Sequence, residues 1–183
     1  MINMVRPKAG VIMVLLLSLC CGRAFAQDET VSEFFSFYFN AYRSGIPDPV
    51  QIETLSKLIT PEFRRLLRDA NRAEMCHARL AHGTEPPLLE GDLFTSLFEG
   101  ATVGKIAAVR VEGASAEVDV EWSYNAEGEQ EAVVWQDRFY LALHAGAWLI
   151  ADIAHLGEWE FMYRGRVSAL LRDIAGQCRE GSD

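Results

Sequence analysis

The sequence predicts an α+β domain in which a curved antiparallel sheet of three to four strands packs against amino-terminal helices and a carboxy-terminal helix. Apolar and polar residues alternate, as in half-buried strands, through 116–124, 133–144 and 147–155. Apolar residues recur at helical spacing on both sides of this region, at 31–42 and at 167–178. The sheet therefore has an apolar face that needs cover, and the flanking helices supply it.

The turn between the second and third strands predicts their register. Ala145-Gly146 is a two-residue connection of the kind that closes a β-hairpin. Continuous pairing from this turn places Phe139 opposite Asp152 and Asp137 opposite Ala154. The two carboxylates then become diagonal neighbours on one face of the sheet.

Two helix starts are marked in the amino-terminal third. Thr30 and Glu33 have the spacing of a capping box, which predicts a helix from about residue 30 that ends before Pro47. Thr60-Pro61 predicts a second helix reaching about residue 79, because threonine caps helices and proline fits the first helical position. The apolar stripes are Val31, Phe34, Phe35, Tyr38, Phe39 and Tyr42 in the first helix, and Phe63, Leu66, Leu67, Ala70 and Ala73 in the second.

The outer side of the second predicted helix is rich in arginine. Acidic residues interleave with these arginines at helical spacing, which favours a solvated, salt-bridged surface over an anion-binding face, the alternative interpretation. The residues are Arg64, Arg65, Arg68 and Arg72, with Glu62, Asp69 and Glu74.

The connection from this helix to the sheet contains glycines and prolines, so residues 81–92 are predicted to be irregular. A further strand is predicted at 102–111, where Lys105 interrupts the apolar face.

Residues 1–26 are predicted to be a cleaved signal peptide, with Arg6 and Lys8 before an apolar run at 11–21 and a small-x-small site at Ala24-Phe25-Ala26. The apolar run is shorter than the roughly 20 residues that span a bilayer, so no stable membrane span is predicted after cleavage. An amino-terminal membrane anchor is one alternative, and lipoprotein processing at Cys20 or Cys21 is another. Residues 27–183 are predicted to form a single domain in the periplasm or outside the cell.

Charge and cysteine content restrict the partners and the compartment. The chain has 17 Lys and Arg against 26 Asp and Glu, which gives a net charge of -9. The leader has three basic residues and no acidic one, so its removal changes the net charge to -12. Such a chain repels nucleic acid. Only Cys76 and Cys178 follow the leader, and an oxidising compartment predicts a disulfide between them, with two buried thiols as the alternative.

The apolar face of the sheet supplies the candidate binding residues. In the predicted register it combines Asp137 and Asp152 with aromatic side chains, namely Trp122, Trp135, Phe139 and Trp148. Two carboxylates on such a surface would repel until one takes up a proton, which is the behaviour of an acid/base pocket. The favoured interpretation is that both are structural and accept hydrogen bonds from backbone amides or an arginine.

Motifs for metal or nucleophile chemistry are absent from the sequence. It contains no HExxH, CxxC, GxSxG or phosphate-loop pattern, and His144 and His155 are predicted to face away from Asp137 and Asp152. The sequence therefore predicts no metal and no cofactor. The opposite sheet face carries an apolar patch, formed by Val134, Tyr140, Leu149 and Ile153. This patch predicts a protein partner or a homodimer through that outer face, with cover by a helix of the same chain as the alternative.

A family resemblance rests on Trp135-x-Asp137, Leu141 and Gly146-x-Trp148-x-Ile150-x-Asp152, preceded by Gly91-Asp92-x-Phe94-x-Ser96. Across residues 30–177 the chain resembles a family of exported bacterial proteins of unknown function, with a fold similar to the nuclear transport factor two-like superfamily. The resemblance implies a cone-shaped α+β architecture with a cavity used as a ligand pocket, active site or dimer surface. It also implies, among related exported proteins, immunity or inhibitor roles against secreted cell-wall-degrading toxins.

The predicted function is an exported, non-enzymatic binding module that recognises a protein partner or small ligand through the sheet and its cavity. The alternatives are an acid/base enzyme that uses the paired aspartates, and an immunity or inhibitor protein.

Overall fold

The computed structural model describes residues 26–125, 131–159 and 163–178. The predicted signal peptide lies outside these residues apart from Ala26. The fold is α+β, as predicted, with an open antiparallel sheet. The elements in order are α1 (Gln27–Asn40), α2 (Pro49–Leu55), α3 (Pro61–Leu80), β1 (Val103–Glu112), β2 (Ser115–Tyr124), β3 (Val133–His144), β4 (Ala147–His155), β5 (Gly165–Arg166) and α4 (Val167–Gln177).

The sheet has the strand order β1-β2-β3-β4-β5, in which each strand pairs with its neighbour in sequence. Four of these strands match the predicted segments closely. The two-residue β5 was not predicted, because a segment this short has no periodicity to detect. It pairs with the end of β4, where Arg166 lies opposite Ala154.

Helix α1 begins at Gln27, about one turn before the predicted start. The predicted capping box is wrong, because Thr30 lies inside the helix and its hydroxyl donates to the Trp148 carbonyl at 2.9 Å. The buried stripe also differs from the predicted one: Phe37, which was not predicted to belong to it, is buried, whereas Phe39 is 36% exposed. Thr30 therefore ties α1 to β4 instead of capping the helix.

Helix α3 begins as predicted, with the Thr60 side chain accepting a hydrogen bond from the Phe63 backbone N–H at 3.2 Å. The short α2 was not predicted. Asp48 caps it by accepting hydrogen bonds from the backbone N–H groups of Val50 and Gln51, each at 2.8 Å, and the Gln51 side chain completes a capping box. One turn of apolar periodicity is too little to distinguish such a helix from a loop.

The core lies between the inner face of the sheet, defined as the face that contacts α1, and the helices. Phe34 of α1 packs edge-on against Phe139 of β3, with 5.1 Å between ring centroids. The irregular loop 91–100 also enters this space, because Phe94 packs against Tyr42 at 4.8 Å and both are buried. The chain's own loop therefore occupies part of the space between the sheet and the helices.

The predicted disulfide is present and joins Cys76 of α3 to Cys178, which follows α4. The two helices pack against each other and against β4. The bridge therefore fixes the carboxy-terminal helix to an early element, as predicted.

The predicted β3–β4 register is correct from the turn as far as the pair Leu141–Ile150 and is wrong beyond it. Ala151 is an extra residue on β4, so that Tyr140 pairs with Asp152. This is a β-bulge, in which two residues of one strand oppose one residue of the other. It reverses the faces predicted for the rest of β4.

Contacts outside the β3–β4 pair accompany the bulge. The Ile150 N–H donates to the Leu58 carbonyl at 2.8 Å, and the Ile150 carbonyl accepts from the Thr60 N–H at 2.9 Å. The chain between α2 and α3 thus forms a parallel bridge with β4 at Ile59. Beyond this bridge the strand continues in the shifted register.

Candidate functional site

Asp137 lies in a buried polar junction, formed by Ser96, Asp137 and His155, between the sheet and the loop 91–100. The Asp137 side chain is 0% exposed. Its Oδ2 accepts hydrogen bonds from Ser96 N at 2.8 Å and Trp135 Nε1 at 3.1 Å, and its Oδ1 accepts from Leu156 N at 2.8 Å and from the Ser96 hydroxyl. Because a carboxylate has roughly four acceptor sites, Asp137 is saturated by protein donors.

His155 is buried in this junction, and the prediction that it faces away from Asp137 is wrong. The bulge brings it directly opposite Asp137 in the β3–β4 ladder. Its Nε2 lies 3.0 Å from the Leu93 carbonyl, and its Nδ1 lies 3.3 Å from the Tyr163 carbonyl. The imidazole therefore links β4 to two other segments. His144, by contrast, is exposed.

A serine, a histidine and an aspartate thus meet in one place, but their hydrogen bonds differ from those of an acyl-transfer triad. The Ser96 hydroxyl donates to Asp137 and accepts from Gly157 N at 3.0 Å. Among the described residues, neither nitrogen of His155 contacts that hydroxyl. Without a base nitrogen at its oxygen, and at 1% exposure, Ser96 is not placed as a nucleophile.

Asp152 lies on the opposite face of the sheet from Asp137, so the predicted carboxylate pair is wrong. Its Oδ1 accepts from Ser168 N at 3.0 Å, its Oδ2 accepts from the Ser168 hydroxyl at 2.7 Å, and Arg166 lies 3.6 Å away. Ser168 is in the first turn of α4, where a negative charge stabilises the helix. Asp152 therefore caps α4 from the neighbouring strand.

The aromatic residues predicted to bind a ligand belong to the core. Trp122, Trp135, Phe139 and Trp148 are between 0% and 8% exposed. The Trp122 ring packs edge-on against Phe35 at 5.1 Å, and the Trp135 indole N–H is bonded to Asp137. These side chains pack in the core, and their role in binding a ligand stays a prediction.

Asp92 is a second buried carboxylate, which sequence reasoning did not assign to the site. Its Oδ1 accepts from the backbone N–H groups of Phe94 and Thr95, and its Oδ2 accepts from the Tyr38 hydroxyl at 2.7 Å. Burial and, to a smaller extent, the nearby Asp137 raise the pKa of Asp92 to about 7, against the lowering effect of these hydrogen bonds. Burial likewise raises the pKa of Tyr38. This pair ties α1 to the loop 91–100.

No family model, curated protein or solved structure matches this chain. The resemblance to exported proteins with a nuclear transport factor two-like fold therefore stays a prediction. Of the residues that carried it, Asp92, Phe94 and Ser96 lie in the loop 91–100, which Asp137 holds through Ser96, whereas Asp152 lies on the opposite face of the sheet.

The described residues include no group of three or more His, Cys, Asp or Glu side chains that could hold a metal ion. None of the helices in the described part of the chain is long and apolar enough to cross a membrane.

The outer face of the sheet carries a charged ladder, formed by Arg110, Glu117, Asp119 and Arg138. Arg110 contacts Asp119 at 2.7 Å and Glu117 at 3.2 Å, and Arg138 contacts the same two carboxylates at the same distances. The hydrogen bonds from Arg110 hold the pKa of Asp119 below its ordinary value. Two positive and two negative charges balance in this ladder.

The predicted apolar patch on this outer face is only partly formed. Val134 is 57% exposed on it. Tyr140 is covered by Arg166, whose guanidinium carbon lies 3.3 Å from the ring centroid. Ile153, which was predicted on this face, is turned inward by the bulge and is 0% exposed. The outer face is consequently more polar than predicted.

Proposed function

We propose that the protein is an exported, non-enzymatic binding module that recognises a partner protein through its exterior. The observation that carries this proposal is the saturation of Asp137 by four protein donors. A catalytic carboxylate must exchange protons with a substrate or bind it, and Asp137 has neither a free acceptor site nor an exposed atom. Its role is to anchor a loop.

The binding surface belongs on the exterior because aromatic side chains and the loop 91–100 fill the interior space next to the sheet. The acid/base alternative required Asp137 and Asp152 on one face, and the bulge separates them. The immunity or inhibitor role is a narrower form of the proposed function and stays a prediction. A homodimer through the outer sheet face also stays a prediction.

Capture from periplasmic extract tests the proposed function. We expect the immobilised, disulfide-bonded protein to retain a stoichiometric partner that can be purified and shown to rebind by calorimetry. Ser96→Ala serves as the control, since it removes the buried hydroxyl without changing the surface, and its folded protein should retain the same partner. Recovery of no stoichiometric partner would count against the proposal, as would a folded Ser96→Ala protein that has lost an enzymatic activity of the wild type.

The proposed export has a separate test. We expect protein expressed with its first 26 residues to appear in the periplasm or the medium with Gln27 as its first residue. N-terminal sequencing checks this, and a lipid-modified mass at Cys20 or Cys21 would support lipoprotein processing instead.

A further inference from the structure

A groove runs along the exposed side of α3, with Arg64, Arg65, Arg68 and Arg72 on one wall and His144 and Leu149 of the β3–β4 hairpin on the other. We call it the arginine groove, and its volume is about 690 Å³. Arg64, Arg68 and Arg72 follow one another at intervals of four residues, and Arg65 lies three residues before Arg68, which places the four arginines along one side of the helix. The bridge between Ile59 and Ile150 holds the hairpin beside the helix.

The arginine groove carries an excess of positive charge. Two carboxylates contact its four guanidinium groups: Glu53 of α2 contacts Arg64 and Arg68, and Asp69 contacts Arg65 and Arg72. These contacts leave a net charge of two positive units on a chain whose total charge is -9.

Two of the acidic residues that were predicted to neutralise these arginines have other partners. Glu62 lies 3.5 Å from Arg172 of α4, and Glu74 accepts a hydrogen bond from Leu88 N at 3.0 Å. Of the three predicted acidic residues, only Asp69 has ion pairs with these arginines in the described part of the chain. Contacts with carboxylates therefore neutralise only half of the positive charge of the four arginines, less than the salt-bridged surface predicted from the sequence implied.

Arginine donors remain for a further acceptor. A guanidinium group has five N–H donors. Arg65, Arg68 and Arg72 have side chains that are 61%, 50% and 71% exposed, so their free edges can be reached from solvent.

We propose that the arginine groove binds an acidic segment of the partner protein through two of its carboxylates. Glu53 and Asp69 show that a carboxylate can bind between two of these arginines, since each of them contacts two guanidinium groups. From Arg64 to Arg72 the helix rises about 12 Å, the length of about four extended residues and too long for a single small anion. Two carboxylates also match the excess charge. This proposal rests on the proposed function and specifies its partner.

The test is a titration of the full, disulfide-bonded chain with a labelled peptide of about six residues in which glutamates alternate with glycines, followed by fluorescence anisotropy. The same peptide with glutamine in place of glutamate is the control ligand. We expect the glutamate peptide to bind with an affinity that falls as salt rises, and the glutamine peptide not to bind. Equal binding of the two peptides, or no binding of either, overturns the proposal.

Variants locate the site. We expect Arg68→Gln/Arg72→Gln to weaken binding of the glutamate peptide by about tenfold or more, because two charge-assisted contacts are lost. Arg172→Gln, on α4 and outside the groove, should change it by less than about twofold. Equal losses in both proteins would indicate general electrostatic attraction and contradict the proposal. Unchanged circular dichroism confirms that each variant is folded.

Glu53 provides a sharper test, because its carboxylate competes for Arg64 and Arg68. Glu53→Gln should tighten binding of the glutamate peptide by about threefold to tenfold. Glu62→Gln changes the net charge equally on the neighbouring surface and should have a smaller effect; equal effects would overturn the proposal. The proposal would also be overturned if inorganic phosphate displaced the labelled peptide as effectively as the unlabelled peptide does.

The proposed binding function and the proposed arginine groove can be refuted independently. If Arg68→Gln/Arg72→Gln still captures a stoichiometric partner, the groove is wrong and the binding function stands. If no partner is captured while the peptide binds specifically, the proposed function fails and an anion site remains.

Discussion

At the scale of single residues, hydrogen-bond partners decide what each aspartate does. Asp137 and Asp152 both accept hydrogen bonds from backbone N–H groups, which is the structural role that the sequence favoured. The sequence did not place them correctly, because it assigned both to one face. Asp92 was not predicted to be a site residue, because a loop sequence does not indicate that the loop will be buried.

Replacement of Asp137 by alanine is expected to destabilise the protein by roughly 3–5 kcal/mol, because several donors lose a buried charged acceptor. Urea unfolding monitored by tryptophan fluorescence measures this. Asp48→Ala is the matched control: Asp48 also accepts two backbone N–H groups but is exposed, so it should cost only about 1 kcal/mol. A cost for Asp137→Ala no larger than that of the control would contradict the anchoring role.

Asp92 should make stability depend on pH. Its pKa is about 7 in the folded protein against an ordinary value of 3.8, so the folded state holds this proton more tightly than the unfolded state does. The free energy of unfolding contributed by Asp92 is therefore greatest below about pH 4 and decreases as pH rises through 7, by the order of 4 kcal/mol.

Urea unfolding of the wild type and of Asp92→Asn at pH 5 and pH 8 measures this contribution. Between pH 5 and pH 8 the variant should lose less stability than the wild type does, because the asparagine does not ionise. Identical pH dependence in both proteins would rule out Asp92 as the source.

At the scale of elements, the sequence predicted those with long periodic patterns and missed those without. The bounds of α3, β3 and β4 follow from apolar spacing and turn residues. The bulge was missed because strict alternation was continued through Ala151. The sequence did contain a sign of it, since the alternation placed Asp152 inward and Ile153 outward, and inserting one extra residue exchanges them.

Deletion of Ala151 tests the bulge. Without the extra residue, regular pairing continues from Leu141–Ile150 to Tyr140–Asp152, so Asp152 stays on the outer face and His155 stays opposite Asp137. We therefore expect the deletion protein to stay folded by circular dichroism and to lose less than about 3 kcal/mol. Ala151→Ser keeps the chain length and should lose less than about 1 kcal/mol. A largely unfolded deletion protein would contradict the assignment of Ala151 as the extra residue of the bulge.

At the scale of the whole molecule, the fold class, the order of the longer helices and strands and the Cys76–Cys178 pairing were predicted from sequence. The entry of loop 91–100 into the core was not. Whether helices that cover a sheet leave a cavity depends on the position of a connecting loop, and loop 91–100 has too little periodicity to place. Phe94, for example, lies in the core together with the aromatic residues of the predicted binding face.

Loss of the disulfide should lower global stability. Cys76 and Cys178 are 102 residues apart, and closing a loop of this length is worth roughly 4–5 kcal/mol in the chain-entropy model. We expect Cys76→Ser/Cys178→Ser to unfold at a lower urea concentration, and reductant to have this effect on the wild type alone. If the midpoints of the wild type and the double variant coincide without reductant, the bridge contributes nothing.

All five strands lie between the two bridged cysteines, whereas α1 and α2 precede them. Backbone and sulfur bridge thus close a covalent ring that contains the entire sheet. A protease that cuts once in any connection between strands opens this ring but releases no fragment. Such nicked protein would migrate as one molecule until a reductant divides it in two.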